Sequence, residues 1–230
     1  MPLEQELRAL ICEIGRRMYA RNLVGGTDGN LSVRLPDGTF LCTPSGVSKG
    51  YMQPDDLIVA DGAGRQIRGR GKVTSEFFTH LACYEERPDI QAVVHAHPPM
   101  ATAFTLAGES LARPVLPELI AALGGIPVTA YATPGTPEGN NVIRPLIRQC
   151  DGVMLDRHGS VTVGATLENA YFKLEKIEHT ATVLLAARRL GPLRTLSADE
   201  VRRVLAAREA YGATGPIYDS ELYPGTAGTD

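Results

Sequence analysis

Two histidines one residue apart, His95 and His97 in the stretch Val93-Val94-His95-Ala96-His97-Pro98, are the residues best placed to do chemistry. Alternate residues of a strand project from one face. At a rise of about 3.3 Å per residue the two imidazoles stand about 7 Å apart along the strand, close enough for both rings to turn onto one metal ion. The apolar residues before them put the pair at the end of a buried strand, and Pro98-Pro99 stops it. A third histidine, His158, lies far along the chain in the turn-like Arg157-His158-Gly159. Three imidazoles leave a coordination position open, as catalytic metal sites do. Any one histidine taken alone is more often a hydrogen-bonded structural residue, and spacing does not settle the matter. The remaining two of the five, His80 and His179, fall on predicted helices, where a core or surface role is usual.

Glu76 opens a predicted helix behind Thr74 and Ser75. A carboxylate in a first helical turn commonly complements the helix dipole. The sharper reading makes it a carboxylate beside the metal that moves a proton. Two loops, Gly26-Thr27-Asp28-Gly29-Asn30 and Thr43-Pro44-Ser45-Gly46, combine glycine with hydroxyl groups, and Thr74-Ser75 is a hydroxyl pair at a helix N-terminus. Glycines let backbone N–H groups approach an anion, and helix N-termini attract phosphate. Each loop alone is more often a plain turn. None has the G-x-x-x-x-G-K-[ST] phosphate loop, which argues against ATP or GTP.

These groups need elements to hold them. Leu3, Leu7, Leu10, Ile11, Ile14 and Met18 recur at helical spacing, predicting a helix to about Asn22. Strands follow at 31–35 and 39–43, joined by Pro36-Asp37-Gly38, with a third at 57–60. Thr74 or Ser75 is the expected N-cap of a helix to about Arg87. Ile90 to Val94 reads as a central strand, 101–107 and 118–123 as short helices, and 127–131 as a strand. A helix is expected at 141–150, a hairpin at 153–156 and 160–163 with His158 near its turn, and the longest helix at 167–190. Ser197 and Glu200 form a capping-box pattern for a last helix to Tyr211. Strands and helices do not alternate strictly, so a mixed, largely antiparallel sheet covered by helices on both faces fits best.

The chain of 230 residues is 43% hydrophobic and 21% charged, with a formal net charge of -3, which suits a globular α/β protein and not a nucleic-acid surface. Arg65, Arg68, Arg70 and Lys72 form a basic run that reads as a solvated loop. The four cysteines, Cys12, Cys42, Cys83 and Cys150, are far apart, which disfavours a disulfide framework or a thiolate metal site. No signal peptide and no apolar run of spanning length is read, so a cytoplasmic protein without membrane or nucleic-acid partners is expected. No linker divides residues 1–230, read as one domain with a Gly-, Pro- and Thr-rich tail at about 212–230 that is mobile or packs on a neighbouring subunit.

Together these segments resemble the class II aldolase/adducin family, above all its fuculose-phosphate aldolase branch, over nearly the whole chain. The resemblance is carried by G-T-D-G-N at 26–30, T-P-S-G at 43–46, T-S-E at 74–76, H-A-H-P at 95–98, Y-A-T-P-G-T at 131–136, R-H-G at 157–159 and A-Y-G at 210–212. It implies a three-layer α/β/α fold and a four-fold homotetramer with active sites at subunit interfaces. It also implies one divalent metal ion per subunit, zinc first with manganese, cobalt or iron as alternatives, on His95, His97 and His158. Glu76 matches a mobile carboxylate that binds the resting metal and then acts as acid/base. Thr27, Asn30, Ser45, Gly46, Thr74 and Ser75 match the substrate's phosphate pocket. Tyr211 matches a tyrosine brought near the site by a neighbouring subunit. Where the branch carries a tyrosine that handles a substrate hydroxyl proton, this chain has Glu118, which puts fuculose phosphate in doubt as the substrate. The resemblance thus implies cleavage of a ketose 1-phosphate, of fuculose, 5-deoxyribulose or methylthioribulose type, to dihydroxyacetone phosphate and an aldehyde through a metal-stabilised enediolate. The alternatives are a 3-oxo acid phosphate decarboxylase, a sugar-phosphate epimerase, or a non-catalytic adducin-like binding module.

Overall fold

A computed structural model describes residues 2–211 and 213–219. Its strands are β1 (Asn30–Arg34), β2 (Phe40–Cys42), β3 (Ile58–Ala60), β4 (Gln66–Arg68), β5 (Ala92–Ala96), β6 (Gly152–Leu155) and β7 (Gly159–Gly164). They form one sheet in the order β4-β3-β2-β1-β5-β7-β6, and each of its ladders is antiparallel. Among the described residues, parallel pairing is confined to the isolated bridges Val128–Met154 and Gly124–Tyr218. The helices are α1 (Pro2–Ala20), α2 (Phe77–Glu86), α3 (Pro99–Leu106), α4 (Pro117–Leu123), α5 (Pro137–Asn141), α6 (Arg144–Ile147), α7 (Leu167–Leu190) and α8 (Ala198–Ala207).

Alternation along the strands sorts their side chains onto two faces. Leu31, Val33, Leu41, Val59 and Val94 pack with Ile11, Ile14 and Met18 of α1 and Leu174 of α7. Phe40, Cys42, Val93, Val161 and Val163 pack on the other face with Phe77, Leu81 and Tyr84 of α2 and Ile147 of α6. Helices therefore cover both faces of the sheet, giving the three-layer α/β/α arrangement. α3 and α4 pack with α7 in a third cluster, and Val201 of α8 meets Ile120 of α4. Each such fully buried aliphatic or aromatic side chain contributes roughly 1.5–3 kcal/mol. The face under α2 is not wholly apolar. Ser32 of β1 holds His80 Nδ1 at 2.7 Å and the Tyr84 hydroxyl at 2.9 Å, a buried polar contact that fixes α2 against the sheet.

Five local expectations need correction. Neither Thr74 nor Ser75 caps α2: the N-cap residue is Glu76, and its side chain makes no capping bond. The Thr74 carbonyl and hydroxyl instead accept from the N–H groups of Phe77 and Glu76. Residues 127–131 make one bridge to β6 rather than a strand, because pairing stops after Thr129 N–H bonds Met154. The helix expected at 141–150 is two short turns, α5 and α6, with Pro137 and Pro145 at their starts, where proline's missing N–H costs nothing. The basic run contains an edge strand, β4, with Arg65 paired to Asp61 and Arg68 to Glu4. The described part of the tail packs on its own chain: Tyr218 N–H donates to Leu123, and Gly125 N–H donates to Tyr218.

Candidate metal centre

β5 is buried along its length and ends at Ala96, so His95 is inside the sheet and His97 just beyond it. Register does the rest. Asn30 of β1 stands opposite His95 on one side, and Val161 of β7 on the other. Opposed residues of an antiparallel pair share a face, and this face lies under α2, whose N-cap brings Glu76 over the strand ends. The β6–β7 turn delivers His158 to the same end. Arg157 adopts a φ of 55° there. The turn is pinned from outside, since the hydroxyls of Thr129 and Thr105 accept from Asp156 and Arg157 N–H at 3.3 and 3.1 Å. Two glycines permit the crowding. A Cβ on Gly159 would lie 2.3 Å from the Ala96 carbonyl oxygen, and one on Gly29 (φ 71°) would lie 2.9 Å from that of His95.

The four side chains converge. Glu76 places Oε2 3.4 Å from His95 Nε2 and Oε1 3.3 Å from His158 Nε2. His95 Nε2 and His97 Nε2 are 3.0 Å apart. One nitrogen from each of the three histidines lies within 4.8 Å of the others. A tetrahedron with bonds of about 2.0–2.1 Å has edges of about 3.3–3.4 Å, so these spacings suit a small divalent cation. The rings are also oriented from behind. His95 Nδ1 donates to the Ser160 carbonyl at 2.9 Å, which leaves Nε2 to face the cluster. His97 turns Nδ1 to Asp28 at 3.6 Å. The Asn30 amide donates to Glu76 Oε2 at 2.9 Å, and its buried Oδ1 has no partner among the described residues.

The electrostatics favour a positive charge at the centre. Burial opposes ionisation of Glu76, but the imidazoles of His95 and His158 and the Asn30 amide outweigh it and hold the carboxyl well below the usual carboxylate range. Burial, then the neighbouring rings of His95 and His158, lowers His97 to about 3. Burial and His95 lower His158 to about 4. For His95 burial is outweighed by Glu76, and the ring is raised. Three imidazoles and a carboxylate gathered at one point form a donor set that a divalent cation satisfies. The residues therefore fit the metal that the sequence pattern suggests.

The loops meet around this centre. Ser45 N–H donates to Lys72 at 2.8 Å and Pro44 bridges Val73, so the 43–46 loop lies against the approach to Thr74-Ser75. Thr27, Ser45, Gly46 and Ser75 are exposed, whereas Asn30 and Thr74 are buried. Gly46 has a φ of 73° and open space where a side chain would stand. Asn30 differs from its expected company, since its amide holds the Glu76 carboxylate. Glu118 is not in the cluster. It lines a cavity of about 490 Å³ with Pro117, Ala121, Lys176, Arg203 and Ala213, between α4, α7 and α8. The backbone of Tyr211 ends a 3-10 turn, Arg208–Tyr211; its side chain and the tail from residue 220 lie outside the described residues. Sequence reasoning missed Asp28, Lys49 and the Ser160 carbonyl. Asp28 sat in a quoted motif without a role, and a main-chain carbonyl leaves no trace in a sequence.

Known proteins resemble this chain in sequence and fold. Residues 9–185 match the family model for the Class II Aldolase and Adducin N-terminal domain. The 3-oxo-tetronate 4-phosphate decarboxylase of Escherichia coli K12 is 32% identical over 205 residues, 86% of this chain and 95% of the relative. The 5-methylthioribulose-1-phosphate/5-deoxyribulose-1-phosphate aldolase of Rhodospirillum rubrum is 34% identical over 208 residues, 90% of this chain and 92% of the relative. A solved L-fuculose 1-phosphate aldolase superposes with a TM-score of 0.81 at 28% identity, covering 89% of this chain and 96% of that one. With the family model matched over most of its length, the chain belongs to the class II aldolase and adducin family.

Proposed function

We propose that the protein is a metal-dependent aldolase that cleaves a ketose 1-phosphate into dihydroxyacetone phosphate and an aldehyde. The observation that carries this reading is the convergence of Glu76 with His95, His97 and His158 at the buried end of β5, the carboxylate held by Asn30. His95, His97, His158 and, at rest, Glu76 would hold the ion, taken as zinc, which would supply Lewis-acid polarisation of the substrate carbonyl. The 5-methylthioribulose-1-phosphate/5-deoxyribulose-1-phosphate aldolase at 34% identity supports a small phosphorylated sugar as substrate.

The chain's own groups do the rest. Thr27, Ser45, Gly46, Thr74 and Ser75 take the phosphate, with Asn30 at the inner edge of the pocket. A base removes the proton of the C4 hydroxyl, the C3–C4 bond breaks, its electron pair stays on the C3 side, and C4 leaves as the aldehyde. Glu76, protonated from solvent once substrate parts it from the imidazoles that hold it ionised, gives that proton to C3, and the proton on the base returns to solvent. Glu118 or Tyr211 is the base. Glu118 lines a cavity whose walls include none of the four cluster residues, which supports its acting in a second copy's site. The reading therefore includes a homotetramer, and a cytoplasmic setting. Among the described residues, no helix is long and apolar enough to cross a membrane.

A second reading, decarboxylation of a 3-oxo acid phosphate, is favoured by the 32% identical decarboxylase of Escherichia coli. It leaves the same electron pair on the same carbon and needs no base at a hydroxyl. Incubating the metal-loaded protein with ketose 1-phosphates of fuculose, 5-deoxyribulose and methylthioribulose, and with a 3-oxo acid 4-phosphate, separates the two. The expected result is metal-dependent release of dihydroxyacetone phosphate together with an aldehyde from a ketose 1-phosphate. Release of carbon dioxide and dihydroxyacetone phosphate from the oxo acid phosphate, with no aldehyde from any ketose phosphate, establishes the second reading; a mass-neutral product establishes an epimerase, and silence with metal bound contradicts the aldolase.

A further inference from the structure

Lys49 is 1% exposed, and its ammonium is held by main chain: Nζ donates to the Thr27 carbonyl at 2.8 Å and to the Val47 carbonyl at 2.6 Å. A lysine is seldom so buried unless a carboxylate pairs with it. Among the described ion pairs Lys49 has none, and burial lowers its ammonium to about 8 against the longer-range pull of Asp28 and Glu76. The two carbonyls belong to the two loops assigned to the phosphate, Gly26 to Asn30 and Thr43 to Gly46 with its continuation. The second loop is tied in turn to the third by the Ser45–Lys72 bond and the Pro44–Val73 bridge. One cation thus ties the main chain of one loop to that of the other. Gly46, with open space about its Cα, stands on the same segment. A side chain kept only for packing would not need an ammonium there, since methionine has the same reach.

We propose that Lys49 is a positioning residue for the substrate's phosphate: it clamps the Thr27 loop to the Val47 loop and so sets the anion cradle. This rests on the phosphate-pocket reading above. Lys49 touches no substrate atom; it acts through the loops whose carbonyls it holds.

The test uses the metal-loaded protein and inorganic phosphate as the probe, by calorimetry, with metal content measured alongside. Lys49→Met keeps the bulk and removes the donors. Phosphate affinity should fall by about tenfold or more, and KM for a phosphorylated substrate should rise by a like factor. kcat should stay within about threefold and metal stoichiometry should be unchanged. In Lys49→Ala, n-propylammonium, which rebuilds the missing stem and charge, should restore phosphate affinity, and n-propanol should not. Wild-type phosphate affinity in Lys49→Met overturns the inference and leaves the phosphate pocket standing. A wild-type protein that binds no phosphate overturns the pocket and the inference with it. If Lys49→Met does not fold, the alanine variant decides: no rescue by n-propylammonium overturns the clamp.

Discussion

Glu76 and Glu118 both stand at the start of a helix, α2 and α4, yet their carboxylates meet opposite surroundings. Glu118 is exposed in the first turn of α4, over a cavity that it shares with Lys176 and Arg203. That is the ordinary use of an acidic residue at a helix N-terminus. Glu76 is the N-cap of α2 and caps nothing. Its oxygens go to two imidazoles and an amide instead. The difference comes from what lies beneath each helix. α2 sits on a sheet whose strand ends offer Asn30, His95 and His158, whereas α4 packs through Leu119 and Leu123 on an apolar cluster and leaves its carboxylate to solvent. One carboxylate is built into the cluster at the end of β5, and the other stands apart from it over a cavity of its own.

The largest test of that contrast is removal of the metal. A chelated sample should lose activity and regain it with zinc, and full activity after chelation would break the account. Glu76→Gln follows. It should keep phosphate binding and lose roughly 10²–10⁴-fold in kcat. Near-normal turnover would remove Glu76 from the chemistry. Glu118→Gln should cost less, roughly tenfold or somewhat more in kcat, with metal content untouched. If Glu118 acts across an interface, mixing Glu76→Gln and Glu118→Gln subunits should recover activity that neither has alone; no recovery would return Glu118 to its own chain's surface.

Smaller effects mark the supports of the two helices. His80, on the sheet-facing side of α2, is lowered to about 3 by burial. A folded value below the unfolded one of about 6.5 gives a contribution that is whole above about 6.5 and lost as pH falls toward 3, at up to about 1.4 kcal/mol per pH unit. Acid unfolding of His80→Gln should therefore show a flatter pH dependence than the wild type in that window. On the other side, Ser197 caps α8 by accepting from Glu200 N–H, in a capping box with Glu200. Ser197→Ala should lower stability by about 1 kcal/mol and leave kcat unchanged.

The His95 and His97 pair could be read from the sequence because the period of a strand puts both on one face and the prolines mark its end. α7 was legible to the residue, since a long apolar repeat outweighs any local signal and Thr166 and Gly191 bound it. Short segments were less so. In 141–150 the prolines outweighed the helical pattern, and 127–131 meets β6 through a single bridge too short to make a strand. β4 was hidden because its residues face solvent on both sides, leaving no alternation to see. At the site, pairing and register brought Asn30 to Glu76 and Ser160 to His95, and neither partnership has a spacing in the sequence. Lys49 looks like any surface lysine until the loops close over it.

The most direct test of the central claim needs no aldehyde at all. Dihydroxyacetone phosphate is incubated in deuterium oxide with the zinc-loaded protein, and exchange at its hydroxymethyl carbon is followed by NMR. The account predicts metal-dependent exchange of a single hydrogen, stereospecific and lost in Glu76→Gln. Exchange that persists undiminished in Glu76→Gln, or its absence from the zinc-loaded wild type, would contradict it.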